Sequence, residues 1–424
     1  MIRATGGERP RVMLYSQDGF GLGHLRRTSS IAAALAEARP DAAVLTVADS
    51  PLGQFFGTVP QQDYVKLPSI VKLAPGDWRP VGLPLRFAQV HAMRRDLLRA
   101  TALSFRPHLL LVDHMPHGAM GELRSTLKAL RRSDVGTRIV LGLRDILDAP
   151  EVVRRRWALE AAYDALERYY DLVLVYGRQE VFDLAEQYGF PPTVAERLRY
   201  TGYVCAPGQG GDAAAVRAER TSGAGPGHAL VVAMAGGGAD GYPMLRAVLD
   251  ALPAVRAEHA CAAALVAGPF LPEPFLGELR ERAGPHATVL ESVRDPLSYM
   301  RAADVVASMA GYSTTVEVLR SGTPAVVIPR PGPSAEQRTR AGLFADRGWV
   351  RTVDPAHLSG ESVASALLDS LGRGASGAVA PPPERPPVDG LGVAVGHLLA
   401  LLDGGAAAQA PGPLLPVAGV SPTT

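Results

Sequence analysis

Twice in this chain a short β-prone apolar run ends in a cluster of glycines and passes at once into a helix-type pattern, and that pairing narrows the folds open to it. Residues 11–16 (RVMLYS) lead into Asp18-Gly19-Phe20-Gly21-Leu22-Gly23-His24, then into an alanine-rich amphipathic stretch over about 22–38 and a strand pattern at 42–47. Residues 229–234 lead into Ala235-Gly236-Gly237-Gly238-Ala239-Asp240-Gly241 and a helix from about Pro243. Alternation continues after both openings. Strand patterns at 109–112, 138–143 and 172–175 are interleaved with helix patterns at 118–132 and 151–170. Strand patterns at 263–266, 288–290, 304–307 and 325–328 are interleaved with helices that include 314–320 and 335–347. Repeated strand–helix alternation predicts parallel sheets covered by helices on both faces. Right-handed crossovers then gather the strand-to-helix loops along one edge of each sheet.

The expected organisation is α/β with two Rossmann-like doubly wound domains, over 10–205 and 228–373. Residues 206–227, dense in Gly, Ala and Ser, read as a flexible linker. Residues 374–424 read as a Pro/Ala/Gly-rich tail, disordered from 404 on, with an apolar patch that predicts a helix near 390–403 packing across both domains. At 424 residues, 47% hydrophobic and 20% charged, the chain can bury a sizeable core. Its 43 basic and 42 acidic side chains nearly cancel, which argues against bulk electrostatic binding to nucleic acid. The two cysteines, Cys205 and Cys261, form no C-x-x-C pair, so neither a zinc or iron–sulfur site nor a disulfide framework is expected. The first ten residues lack a signal-peptide core, and no run of about 18 apolar residues occurs, so a cytoplasmic protein without a membrane span is expected.

Glycines between a strand and a helix let backbone amides approach a ligand, and the helix start favours negative charge. The first loop misses the dinucleotide fingerprint because His24 stands where its third glycine would be, and no P-loop sequence is present. His24 is instead an imidazole at a helix start on the ligand-binding edge, kept neutral there as a general base requires; packing or capping is the alternative role. Asp113, at the end of a strand on the same edge, can orient His24, serve as the base, or cap the next helix. Arg144 and Asp145 follow another strand, where they can grip an acceptor or phosphate, or form a surface ion pair. The segment Ser308-Met309-Ala310-Gly311-Tyr312-Ser313-Thr314-Thr315-Val316-Glu317 predicts a helix beginning at Ser313 or Thr314, with free amides suited to a diphosphate and Glu317 one turn in to receive a ribose diol. A plain capping box, Thr314 with Glu317, accounts for the same residues.

In the order Asp304-Val305-Val306, Gly311, Glu317, Gly322-Thr323-Pro324 and Glu336-Gln337, joined by Gly21-Leu22-Gly23-His24, the chain resembles the two-domain (GT-B) glycosyltransferases of the family 28 type, over most of 11–371. That group includes the N-acetylglucosaminyltransferase of the cell-wall lipid precursor. The resemblance implies a glycosyltransferase that uses a nucleotide-sugar donor, UDP-linked by default, with inversion and without a metal or cofactor. It implies that Glu317 holds the donor ribose and that Gly311, Tyr312, Ser313 and Thr314 meet the diphosphate. Gly237 and Gly238 would pass close to the phosphates, Val293 would edge the base, and Glu336 and Gln337 would read the sugar hydroxyls. The family often has two amides at that last pair, so Glu336 is a departure. Gly23 and Arg27 join the donor side; Asp18, Arg144 and Asp145 join the acceptor side, with the stretch 68–87 around Trp78 shaping the acceptor site. The acceptor would be a small molecule, a saccharide or a lipid-linked sugar, the last making the protein peripheral to the membrane. Gly21-x-Gly23-His24-x-x-Arg27 also looks like the opening loop of nucleotide-sugar hydrolases. A nonhydrolysing 2-epimerase and a non-catalytic nucleotide-sugar binder share the architecture.

Overall fold

The computed structural model describes residues 9–17, 23–50, 60–74, 77–208, 211–222, 227–375 and 384–404. In the amino-terminal half the strands are Arg11–Ser16 (β1), Ala43–Ala48 (β2), Gln62–Lys66 (β3), Ile70–Ala74 (β4), Asp77–Pro80 (β5), Leu109–Asp113 (β6), Arg138–Arg144 (β7), Leu172–Tyr176 (β8) and Leu198–Tyr200 (β9). The carboxyl-terminal half adds Ala229–Met234 (β10), Cys261–Val266 (β11), Ala287–Leu290 (β12), Val305–Met309 (β13), Ala325–Ile328 (β14) and Arg351–Thr352 (β15). A seven-stranded sheet runs β3-β2-β1-β6-β7-β8-β9 and a six-stranded sheet runs β12-β11-β10-β13-β14-β15, parallel throughout. With the β4–β5 hairpin set aside, both follow the order 3-2-1-4-5-6 of dinucleotide-type domains, the first with one strand more. Each sheet therefore reverses its winding once, between β1 and β6 and between β10 and β13. Ligands of doubly wound sheets bind in the crevice that opens there.

The continuous apolar runs have a simple cause. All residues of β6, β8, β11, β13 and β14 are buried, because helices cover both faces of each sheet. The apolar patch near the carboxyl end forms the helix Gly390–Leu402, which packs on helix Gly23–Ala38 of the other half. Leu398 is fully buried there, and Arg39 Nη1 meets Asp403 Oδ1 at 2.5 Å. Gly390 lies so close to the backbone of Gly202 that a Cβ would come within 2.5 Å of its carbonyl oxygen.

Some elements differ from expectation. Ala213–Thr221, within the stretch expected to be a linker, forms a nine-residue helix capped by Asp212. It packs on helix Pro296–Ala302, and Arg217 donates to the Ala302 carbonyl at 2.8 Å. Its Ala, Arg and Glu favour helix, and Asp212 accepts from Ala214 N at 2.8 Å, so local propensity outweighs the glycine-rich flanks. The helix expected over 151–170 is two, Pro150–Leu159 and Ala162–Tyr169, broken where Ala161 adopts φ 53°. Over 118–132 a 3₁₀ turn, Ala119–Gly121, precedes the helix Arg124–Leu130. Part of 68–87 is the β4–β5 hairpin, with Trp78 on β5.

Candidate active site at the facing switch points

The first crevice begins with helix Gly23–Ala38, whose opening residues face Asp113 at the end of β6. Asp18 lies outside the described residues, as do Gly21 and Leu22. His24 Nδ1 makes a very short contact with Asp113 Oδ2. Arg27 Nη2 donates to both Asp113 oxygens at 2.7 and 2.8 Å, and its Nε approaches Oδ1 at 3.2 Å. Both carboxylate oxygens are therefore occupied, and the Asp113 side chain is only 2% exposed. Burial works to raise the Asp113 pKa, but Arg27 and then His24 outweigh it and hold the carboxyl below the usual range. His24 keeps 18% of its side chain exposed. Burial pushes its pKa down, against the opposing pull of Asp113. With Nδ1–H given to Asp113, Nε2 of a neutral His24 is left as an acceptor of protons.

The second crevice is built on helix Tyr312–Ser321, which follows β13 with Gly311 as its N-cap and no side chain closing the cap. The helix starts two residues earlier than Thr314, so Thr314 and Glu317 do not form a capping box. The amides of Tyr312, Ser313 and Thr314 belong to the first turn, where no intrahelical carbonyl reaches them. A Cβ on Gly311 would meet nothing within 4 Å, and one on Gly23 would meet Ser313 Oγ at 3.6 Å, so the two helix starts face each other across the domain boundary. The Tyr312 hydroxyl is taken by the amide of Val204, which donates to it at 2.9 Å. Its ring is sandwiched between Arg27 and Arg340, 5.2 and 5.6 Å from the ring centre. Tyr312 thus offers the crevice its amide, while its hydroxyl oxygen serves as the acceptor for Val204.

The glycines of the second loop have different tasks. Gly236, at φ 68°, comes nearest the helix start: a Cβ there would lie 3.1 Å from Thr314 Oγ1. Gly238, at φ 95°, is required by the neighbouring loop, since its Cβ would fall 2.4 Å from the Ala267 carbonyl oxygen. Gly237 accepts from Phe270 N at 2.9 Å. Val293 sits between β12 and helix Pro296–Ala302, half-buried against the core. Gln337 Oε1 accepts from Arg330 N at 3.1 Å.

Arginines bridge the halves. Glu317 Oε1 accepts from Arg26 Nη2 of the opposite domain at 2.7 Å. Burial raises the Glu317 pKa, with Arg26 opposing it. A small cavity lined by Arg26, Arg27, Val204, Cys205, Ala206, Ser313 and Glu317 lies between them. Glu336 is 4% exposed, with Arg340 Nη2 on Oε1 and Arg144 Nη1 on Oε2, each at 2.9 Å. Asp145 takes Arg340 in a two-pronged pair, at 2.9 and 2.5 Å. Asp148 Oδ1 accepts from Ala335 N at 2.8 Å and so caps helix Glu336–Asp346 from the other domain. Arg144 and Asp145, expected on the acceptor side, are thus interdomain tethers, and Glu336 faces guanidinium groups on both of its oxygens.

Arg26, Arg340, Asp148 and His114 were not among the expected site residues. His114 lies 5.0 Å from His24, ring centre to ring centre, and adopts φ 74°. Its place directly after Asp113 was the available signal. For Arg26 the sequence held none, since its partner lies 291 positions away; for Arg340 the i,i+4 spacing from Glu336 was a signal, but not its pairing with Asp145, 195 positions away.

Two Rossmann-like domains whose switch points face each other are the GT-B architecture. Residues 237–377, about a third of the chain, match the model of the glycosyltransferase family 28 C-terminal domain. Over 90 residues, 21% of the chain, it is 37% identical to a UDP-N-acetylglucosamine--N-acetylmuramyl-(pentapeptide) pyrophosphoryl-undecaprenol N-acetylglucosamine transferase of Mycolicibacterium smegmatis. The chain spans about a quarter of that relative's length, 23%. MurG of Acinetobacter baumannii superposes with a TM-score of 0.56 at 15% identity, over 93% of this chain and 99% of that one. A Listeria monocytogenes protein described as a UDP-N-acetylglucosamine 2-epimerase superposes with a TM-score of 0.60 at 12% identity, over 95% and 99%. At such identities the structural likeness speaks for the fold alone. Among the described residues no helix is long and apolar enough to cross a membrane.

Proposed function

We propose that this protein transfers a sugar from a nucleoside diphosphate sugar, UDP-linked by its family likeness, to an acceptor hydroxyl with inversion at the anomeric carbon. The observation that carries this reading is the uncapped start of helix Tyr312–Ser321 facing the His24–Asp113–Arg27 cluster across the domain boundary. His24 Nε2 takes the proton from the acceptor hydroxyl. The acceptor oxygen bonds to the anomeric carbon from one side as the bond to the donor phosphate breaks on the other, and that bond's electrons leave with the nucleoside diphosphate. Asp113 orients His24 and does not act as the base, because both its oxygens are already engaged. The leaving diphosphate is received by the amides of residues 312–314 and the positive end of their helix, with no call on a metal ion.

The likeness to a transferase named for a lipid-linked acceptor makes such an acceptor the first to try, beside saccharides and small molecules. On this reading the enzyme works in the cytoplasm, at the membrane face if the acceptor is lipid-linked. The test is His24→Ala, with turnover and UDP binding measured separately. Turnover is expected to fall by about 10²–10⁴ with binding retained; unchanged turnover removes His24 from the chemistry. Incubation with a UDP-sugar and no acceptor separates the rivals: release of free sugar at the full rate means a hydrolase, and an altered sugar means an epimerase.

A further inference from the structure

The candidate ribose-binding carboxylate is not waiting empty. Glu317 is 5% exposed and already holds a guanidinium from the opposite domain, 2.7 Å away. A diol that engages both Glu317 oxygens takes that place on Oε1. Arg26, half-buried, is then left without its partner, and a charge held partly out of water favours a new counter-ion. It has somewhere to go. Its side chain keeps 25% of its surface exposed, so it can swing, while Arg27 beside it is held on Asp113 with 2% exposed. Arg26 and Ser313 line the same small cavity, and Ser313 belongs to the first turn of the helix whose free amides would receive the diphosphate.

Resting on the donor-binding reading above, we propose that Arg26 is a donor-binding residue that changes partners. It neutralises Glu317 while the site is empty, and it moves onto the donor's diphosphate when the ribose takes over the carboxylate. A nucleoside diphosphate supplies both halves of this exchange, a diol for Glu317 and an anion for Arg26. A nucleoside without phosphate supplies only the first. Arg26 is therefore a device that favours nucleoside diphosphates over nucleosides, located on the domain that would also present the acceptor. Closure of the two halves around the donor would depend on the same guanidinium.

Binding of uridine and of UDP to the full-length protein tests the exchange, by calorimetry on the wild type and on Arg26→Gln, Arg26→Lys and Glu317→Gln. Arg26→Gln is expected to bind UDP about tenfold or more weakly, the size of a lost charge-assisted hydrogen bond, and to bind uridine as well as the wild type or better. Arg26→Lys should recover part of the UDP preference. Glu317→Gln should weaken uridine while the preference for UDP over uridine stays. If uridine and UDP shift by the same factor in Arg26→Gln, Arg26 acts only as a structural tether and the exchange is refuted. If the wild type binds neither UDP, GDP nor TDP, the donor reading itself fails and the exchange falls with it.

Discussion

Arg340 is the most deeply buried of the bridging charges, and its removal gives the sharpest test of how the two halves are held. It has no exposed surface. Its guanidinium meets both Asp145 oxygens at 2.9 and 2.5 Å, Glu336 Oε1 at 2.9 Å and the Ala310 carbonyl at 2.8 Å. Replacing it with Met keeps much of the volume but leaves Asp145, 3% exposed, without its guanidinium. Breaking a buried pair from one side costs about 3–5 kcal/mol, and the loss of the Ala310 contact adds about 1 kcal/mol. Glu336 retains Arg144, so its share of the loss is small. Urea denaturation followed by tryptophan fluorescence and circular dichroism would measure this, because Trp157 and Trp349 report on opposite halves. Arg340→Met should lower stability by about 4–6 kcal/mol and separate the two unfolding transitions. The double variant Arg340→Met/Asp145→Leu should recover several kcal/mol of that, because no uncompensated charge remains. A single variant within about 1 kcal/mol of wild type, together with a coupling energy near zero, would refute the claim that this pair ties the domains together.

Other expectations follow from the same geometry. Asp113→Asn should lower turnover by about 10² or more while leaving UDP binding in place, since it removes the group that orients the base; steady-state kinetics beside calorimetry decides it. Because His24 has its pKa lowered, its neutral form persists to lower pH, and the acid limb of the turnover profile should lie below about 6.5. In Asp113→Asn the limb should move lower still, because Asp113 works to raise that pKa. Gly238→Ala should cost about 1–3 kcal/mol in thermal or urea unfolding, with φ at 95° and a Cβ 2.4 Å from a carbonyl oxygen. Gly311→Ala, whose Cβ meets nothing within 4 Å, should cost about 1 kcal/mol or less through the cap.

The alternating pattern made both parallel sheets legible, because strands buried on both faces read as unbroken apolar runs. It did not reveal helix Phe87–Phe105, although at 19 residues it is the longest in the amino-terminal half. Its buried stripe is Val90, Arg94, Leu98 and Ala102, and an arginine at one of those four positions breaks the apolar period. Arg94 is fully buried because Asp49 and Glu122 neutralise it, with contacts of 2.7–2.9 Å, a fact no local window contains. The site shows the same division. Gly311 and Glu317 were legible from their place after β13, and His24 with Asp113 from their shared sheet edge. Arg144, Asp145 and Glu336 were legible as strand-end and helix-start residues, and of the two readings open for Arg144 and Asp145 the structure shows ion pairs, formed across the domains. The Glu336–Arg340 spacing of four is visible along the chain, but the pairing of those two with Arg144 and Asp145 across the domains is not.

The capping of helix Glu336–Asp346 by Asp148 has a consequence for motion. A helix end finished by a group from the other domain does not slide gradually away from it; the hydrogen bond is either made or broken. With Arg144 on the first residue of that helix and Arg340 one turn in, separation releases a cap and two guanidinium contacts within the same small displacement. Open and closed molecules should therefore exchange as two distinct populations, with a measurable barrier, and not as a broad continuum of hinge angles.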